Sequence, residues 1–320
     1  MNIQPKALKQ EAAQILQQTT PDYRKTVLLH AAVSMGILFL INLVSVLLNS
    51  AISDTGGLSD IGIRSILGTV QSTLMTAANI ALPFWEAGIL YTSIRVTRQQ
   101  EIRFPMLTQG FRRFGPLLRH MILWMLICFA VAMVSINVLS IFAMFIPLPP
   151  ELEQAMASVD MTAITDPMEL YELLPMEQLL QAMIPVAVIY LLLCFGAILW
   201  FSYRFRLSQY LLLDETPIRA RAALRLSNHL TNGHKKSLLM LDLSFWWYYL
   251  LQALITCLVY TPELISAKGI SLPISSDMLN VLSYGAYCVA SLILVYFAGA
   301  YVQTTYACAY DRLRSIPEKI

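Results

Sequence analysis

The sequence predicts an all-α polytopic membrane protein with six transmembrane helices, and three observations carry the prediction. Of its 320 residues 57% are hydrophobic and 13% charged, with a mean hydropathy of +0.60, whereas soluble domains carry about 25% charge. The apolar residues gather into six runs, at about 27–48, 68–94, 119–146, 183–203, 238–260 and 280–309, each long enough for a ~30 Å hydrocarbon core. Finally, 20 of the 22 lysines and arginines fall in the N-terminal segment, the connections 95–119 and 204–236, or the C-terminal tail. Basic residues mark the cytoplasmic side, so both termini are expected inside.

This reading divides the chain into a cytoplasmic amphipathic segment, 1–26, and a single six-span membrane domain, 27–320. In the first, Pro5 opens a helix whose narrow apolar face holds Leu8, Ala12, Ile15 and Leu16, as suits a helix lying on the inner leaflet. The segment has no apolar core of its own, so the first span is expected to act as a signal anchor. Thr20-Pro21-Asp22 starts the next helix, with Thr as cap, Pro in the first turn and Asp at the positive end of the dipole.

After the second span the basic connection 95–119 is expected to hold a short interfacial helix. Pro105 opens it, Gly115-Pro116 closes it, and Phe104, Met106, Leu107, Phe111 and Phe114 turn to lipid or to the bundle. The third span ends at Pro147-Leu148-Pro149-Pro150. The outer loop 151–182 is acidic throughout, with no basic residue, which reads as a solvated loop or, alternatively, a cation site. The fourth span, 183–203, is the least polar. In the next connection Thr216 caps a helix that runs to Asn232 and stops at Gly233. Arg221, Arg225, Asn228 and His229 form one stripe of it, and Ala220, Ala223, Leu224, Leu226 and Leu230 much of the other side. The sixth span carries Ala298-Gly299-Ala300, suited to close helix contact. Segments 68–146 and 183–260 repeat one plan in one orientation: a span, a basic interfacial helix, a span.

Three spans have polar faces. In the second, Thr69, Ser72, Thr76, Asn79, Pro83 and Glu86 fall within about 100° of a helical wheel. Glu86 lies nine residues before Arg95, or ~13 Å deep at 1.5 Å per residue. A carboxyl group at such depth marks a functional site by default, since the hydrocarbon tolerates charge poorly. The first span aligns His30, Ser34, Asn42, Ser45 and Asn49, and the fifth Asp242, Tyr249, Gln252, Thr256 and Tyr260. These faces predict a shared polar interior built on Glu86, Asn79, Thr76, Ser72, His30, Asn42, Asp242 and Gln252, with Glu86 bonded to Asn42, Asn79 or Gln252, hydrated, or protonated. The alternative is structural: hydroxyls and amides also join helices by hydrogen bonds of about 0.6 kcal/mol each.

Other chemistries have no signature. No nucleophile elbow, phosphate loop, HExxH or CxxC pair occurs. The four histidines are scattered, and the five cysteines lie inside the predicted spans, so neither a metal nor an outer disulfide framework is expected. The basic residues follow the membrane edge and do not predict nucleic-acid binding. Arg221, Arg225, His229, Lys235 and Lys236 are candidates for anionic lipid headgroups, at roughly 1 kcal/mol per basic residue, or simply set topology.

Ala7-Leu8-Lys9 with Ala12-Ala13, Gly110-Phe111, Arg206, Leu213, Ala223-Leu224, Ser227, Gly233-His234-Lys235, Leu241-Asp242-Leu243-Ser244-Phe245 with Trp247, and Ala300-Tyr301 to Tyr306 with Tyr310 form a set of blocks along the chain. Together they resemble the bacterial integral-membrane family called domain of unknown function 975. The resemblance covers nearly the whole chain and implies no catalytic residue, and Glu86 lies outside it. A fainter similarity is to the membrane portion of glycerophosphodiesterases, without their catalytic domain. The expectation is therefore a non-enzymatic, cofactor-free protein of the bacterial plasma membrane. It acts as a transport or export component with a polar interior lined by spans one, two and five, or alternatively as a membrane adaptor or lipid-interacting scaffold that contacts lipid or a membrane-protein partner.

Overall fold

The computed structural model describes residues 4–19, 22–53, 58–143, 176–214, 218–268 and 276–315. The described chain is all-helical, and it divides into two compact units, one of residues 1–120 and 205–320, the other of 121–204.

The helices are α1 (Pro5–Gln18), α2 (Tyr23–Ser53), α3 (Leu58–Thr97), α4 (Gln109–Arg112), α5 (Phe114–Ala143), α6 (Met176–Phe205), α7 (Ser208–Leu213) and α8 (Ala220–Thr231). They continue as α9 (Lys235–Leu243), α10 (Trp246–Cys257), α11 (Thr261–Ala267), α12 (Ser276–Leu294) and α13 (Ala300–Arg314). Among the described residues five stretches are long and apolar enough to cross a membrane: Tyr23–Leu47, Phe114–Ile141, Ile184–Leu213, Trp246–Ala267 and Met278–Arg314. The predicted second span, 68–94, lies within α3 and is not among these five. Its polar stripe dilutes the hydropathy of a helix whose 40 residues reach about 60 Å.

In the larger unit α2 and α3 form an antiparallel pair. The Tyr23 hydroxyl donates to the Ile89 carbonyl (3.4 Å), His30 meets Trp85, and the Ser45 hydroxyl donates to Gln71 (2.5 Å). As the number rises on one helix it falls on the other. α12 joins α2 through Phe39 stacked on Tyr284, and a π-helical turn, Val295–Gly299, leads into α13. A methyl group on Gly299 would lie 3.5 Å from Val27, so the small residue there does allow α2 to approach closely.

Two glycines are demanded by backbone contact. A Cβ on Gly88 would stand 1.8 Å from the Leu107 carbonyl oxygen, and one on Gly110 1.8 Å from the Phe84 carbonyl oxygen. The connection after α3 therefore folds back onto α3 at van der Waals distance, with Phe84 against Phe111 and Phe114.

Several expectations are corrected. The α1 apolar face does not lie on lipid: Leu8 and Ala12 are fully buried and α1 packs on α13. The connection 95–119 holds a 3-10 turn, Phe104–Thr108, and the single turn α4 instead of one interfacial helix. Gly115-Pro116 does not close that helix but sits in the first turn of α5, where proline lacks no bond it would otherwise make. The fifth span begins later than expected, because the helix breaks at Ser244-Phe245 between α9 and α10, which leaves Asp242 outside it. α8 ends at Thr231, and Gly233 follows with φ +80, a left-handed backbone suited to glycine. The expected Thr20-Pro21 and Thr216-Pro217 helix starts, the Pro147–Pro150 terminator and the acidic loop up to residue 175 lie outside the described residues.

In the smaller unit the long apolar stretches of α5 and α6 carry exposed Phe129, Leu191, Leu192 and Phe195, as suits hydrocarbon contact.

Candidate functional site: a polar cavity and two ion-pair clusters

Glu86 lines a half-open cavity of about 400 Å³ in the larger unit. Its wall takes Val27, His30 and Ala31 from α2, Pro83, Glu86, Ile89 and Leu90 from α3, Gln209 from α7, Tyr248 from α10, Val295 and Gly299 from the π-helical turn, and Gln303 from α13. Two backbone irregularities border it. Pro83 has no N–H to give the Asn79 carbonyl one turn back, and π-helical turns recur at functional sites. Among the described residues the Glu86 carboxylate has no hydrogen-bond or ion-pair partner, and its side chain is exposed.

His30 and Trp85 hold one side of the cavity rigid. Their rings stack at 5.3 Å and 5°. The His30 Nε2–H donates to the Trp85 carbonyl (3.1 Å) and the Trp85 indole N–H donates to the His30 carbonyl (3.1 Å). Because a carbonyl only accepts, the proton of the neutral ring sits on Nε2 and Nδ1 remains an acceptor.

Two clusters tie the helix ends together. In the first, Arg98 bridges two carboxylates: its guanidinium donates to both Asp214 oxygens (2.8 and 3.0 Å) and to Asp311 (2.8 and 3.2 Å). Asp214 is buried, and it also takes Arg314 and the Tyr310 hydroxyl (2.6 Å). Its carbonyl accepts from Arg113 (2.5 Å), and Asp311 accepts from Thr97 (2.5 Å). A buried carboxylate with this many donors is fully satisfied.

In the second cluster Asp242 takes a two-pronged bond from Arg206 and one from the Tyr306 hydroxyl (2.6 Å), which also meets Tyr249 (2.6 Å). Arg206 lies over the Tyr306 ring at 4.6 Å. Next to it Lys9 donates to the Ser244 carbonyl (2.7 Å) and sits 4.0 Å above the Phe245 ring. Burial alone pulls the Lys9 ammonium below its ordinary range, and those two contacts hold its charged form. Buried His120 meets the Ser208 hydroxyl (2.6 Å), and Ser227 accepts from the Leu207 N–H (3.1 Å).

The predicted polar interior is only partly assembled. Of its members, His30 and Glu86 share the cavity. Ser72, Thr76 and Asn79 are exposed outside it, and the Ser72 and Thr76 hydroxyls bond back to their own helix at Thr69 and Ser72. Asn42 likewise donates to Leu38, Asp242 belongs to the ion-pair cluster, and Gln252 lines no part of the cavity. The expected bonds from Glu86 to Asn42, Asn79 or Gln252 do not form. Arg221, Arg225, His229 and Lys236 are exposed, Lys235 is half-buried, and Ala220, Ala223, Leu224 and Ser227 form the buried side of α8. The sequence does not single out Gln209 and Gln303, because each stands beside other polar residues, Ser208 and Thr304-Thr305, and belongs to none of the three polar faces. Gln303 stands four residues after Gly299, one turn further on the same side. Among the described residues no three His, Cys, Asp or Glu side chains are grouped to hold a metal.

Both clusters gather residues of the blocks resembled above: Lys9, Arg206, Asp242, Ser244, Phe245, Tyr306 and Tyr310. No curated protein and no solved structure matches the chain, and the fainter likeness to glycerophosphodiesterases finds no support. The family model described as "Protein of unknown function (DUF975)" matches residues 6–316, and the chain belongs to that family.

Proposed function

We propose that this protein is a component of a membrane transport or export system whose substrate occupies the Glu86 cavity. The observation that carries the reading is the unpartnered Glu86 carboxylate in a half-open, mixed polar and apolar cavity of about 400 Å³. That volume is within the range of small-molecule sites, roughly 300–1,000 Å³. The wall comes from five separate helices and the π-helical turn, so a shift of any of them changes the site.

In this reading the chain crosses the plasma membrane six times with both termini in the cytoplasm. The Arg312–Glu11 pair (2.6 Å) joins the last helix to the first, and termini on one side need an even number of crossings. α3 supplies the sixth, because its bonds from Ile89 back to Gln71 follow α2 from Tyr23 to Ser45, a distance of about 33 Å along the helix. In this reading the protein is no enzyme and takes no cofactor. It meets the lipid bilayer and no nucleic acid.

The runner-up reading is a membrane adaptor or lipid-interacting scaffold, favoured by the exposed Arg221, Arg225 and His229 stripe on α8. Flux in proteoliposomes separates the two. Export or uptake of any solute from a panel of cations, anions and neutral amphiphiles, lost in Glu86→Gln, supports transport. Absence of flux for all of them, with binding to anionic vesicles that Arg221→Gln/Arg225→Gln abolishes, moves the assignment to the scaffold.

A further inference from the structure

Among the described residues the wall of the Glu86 cavity holds one carboxylate and no lysine or arginine. Its other polar side chains are Gln209, Gln303, Tyr248 and His30, and the remainder is apolar, with Val27 and Leu90 among it. Each feature restricts the ligand. An anion would approach an uncompensated negative charge. A neutral ligand would bury the carboxylate without a counter-charge unless the group first takes up a proton, and either course costs binding energy that an ammonium does not. A dication would bring one charge too many. A quaternary ammonium offers no N–H and is usually caged by several aromatic faces, whereas among the described residues the wall has only the Tyr248 ring and the His30 imidazole. Carboxylate and amide oxygens are instead acceptors for N–H donors.

We propose that the cavity binds a monovalent protonated amine bearing an apolar substituent, its ammonium against Glu86 and the amide oxygens of Gln209 and Gln303, and its substituent against the apolar wall. The proposal rests on the transport reading only in taking the cavity as a ligand site; it adds the class of ligand and is tested without any flux measurement.

The test is isothermal titration of the purified full-length protein in detergent with phenethylammonium chloride, 2-phenylethanol and tetramethylammonium chloride. The expected result is saturable one-site binding of phenethylammonium. The alcohol, which keeps the ring but lacks the charge, binds at least about tenfold more weakly, as does tetramethylammonium. Glu86→Gln weakens phenethylammonium by about 10- to 100-fold, and Glu86→Asp by less. Gln303→Leu, which leaves the carboxylate in place, weakens it severalfold and guards against a misfolded Glu86 variant. Three outcomes overturn the proposal: no binding by the wild type at ~10 mM, equal affinity for the alcohol, or equal affinity in Glu86→Gln and Gln303→Leu. Any of them alongside Glu86-dependent flux of another solute class leaves the transport reading standing and removes the amine. Amine binding without flux of any solute does the reverse.

Discussion

Arg206 and Asp242 stand 36 residues apart in sequence and meet as a two-pronged ion pair, with Nη2 2.7 Å from Oδ1 and Nη1 on Oδ2. The pair joins the link between α6 and α7 to α9, just before the break at Ser244-Phe245. Each side chain keeps limited exposure, 24% and 18%, so removing one partner strands a largely desolvated charge. Asp242→Asn and Arg206→Met are each expected to destabilise the protein by about 2–4 kcal/mol, toward the lower part of the range for buried pairs. The double variant should lose less than the sum of the two, a coupling measured by a double-mutant cycle on unfolding in detergent.

The Arg98 hub sets up a sharper contrast. Asp214 is the buried member, with a side chain 1% exposed, and it faces Arg98 and Arg314. Asp214→Asn should cost about 3–5 kcal/mol by leaving two guanidinium groups short of their partner. The Glu101–Arg103 pair is two-thirds exposed on both sides, and Glu101→Gln should leave the melting temperature unchanged, because exposed pairs contribute little. Thermal unfolding of the two variants under one condition checks both statements.

Gly88 and Gly110 yield a backbone prediction. A methyl group at either would overlap a carbonyl oxygen at 1.8 Å, and neither a helix nor a folded-back turn has a flexible side chain to move aside. Gly88→Ala and Gly110→Ala are expected to cost at least about 3 kcal/mol or to abolish folded yield. Gly36, in the middle of α2, has nothing within 4 Å of its Cβ position. Gly36→Ala should therefore stabilise by about 0.5–1 kcal/mol, the helix-propensity difference. Size-exclusion yield and melting temperature of the three variants decide the matter.

How far the sequence could be read follows from which signals are local. Periodic apolar runs placed five spans to within a few residues at most ends, since hydropathy is a property of the segment itself. The break at Ser244-Phe245 carries no proline or glycine, so the apolar run sets the start of the fifth span eight residues before Trp246 and groups Asp242 with Gln252. The polar stripe of α3 is a periodic pattern, and a wheel cannot say which neighbour it faces. Ser72 and Thr76 satisfy themselves on their own helix, and Asn79 is exposed outside the cavity. Gln209 and Gln303 enter the cavity because α7 and the π-helical turn bring them there, and both are tertiary facts. Glu86 was legible because an unpaired carboxyl on an apolar helix is rare whatever surrounds it.

Its place on the cavity wall separates Glu86 from its stripe and from its helix neighbour Ala87. The Glu86 side chain is exposed at the cavity wall, whereas Ala87 beside it is 4% exposed. In a background with the five native cysteines replaced, Glu86→Cys should react with a membrane-impermeant maleimide in proteoliposomes, and Ala87→Cys should not. The contrast depends on geometry alone, since adjacent residues share one depth to within about 1.5 Å. Thr76→Cys lies outside the cavity on the exposed stripe, so ligands that fill the cavity should slow labelling at position 86 and leave position 76 unaffected. Equal labelling at 86 and 87 would mean that depth, not the cavity wall, governs access, and protection of 86 alone by an added amine would tie the carboxylate to the ligand by a route independent of calorimetry.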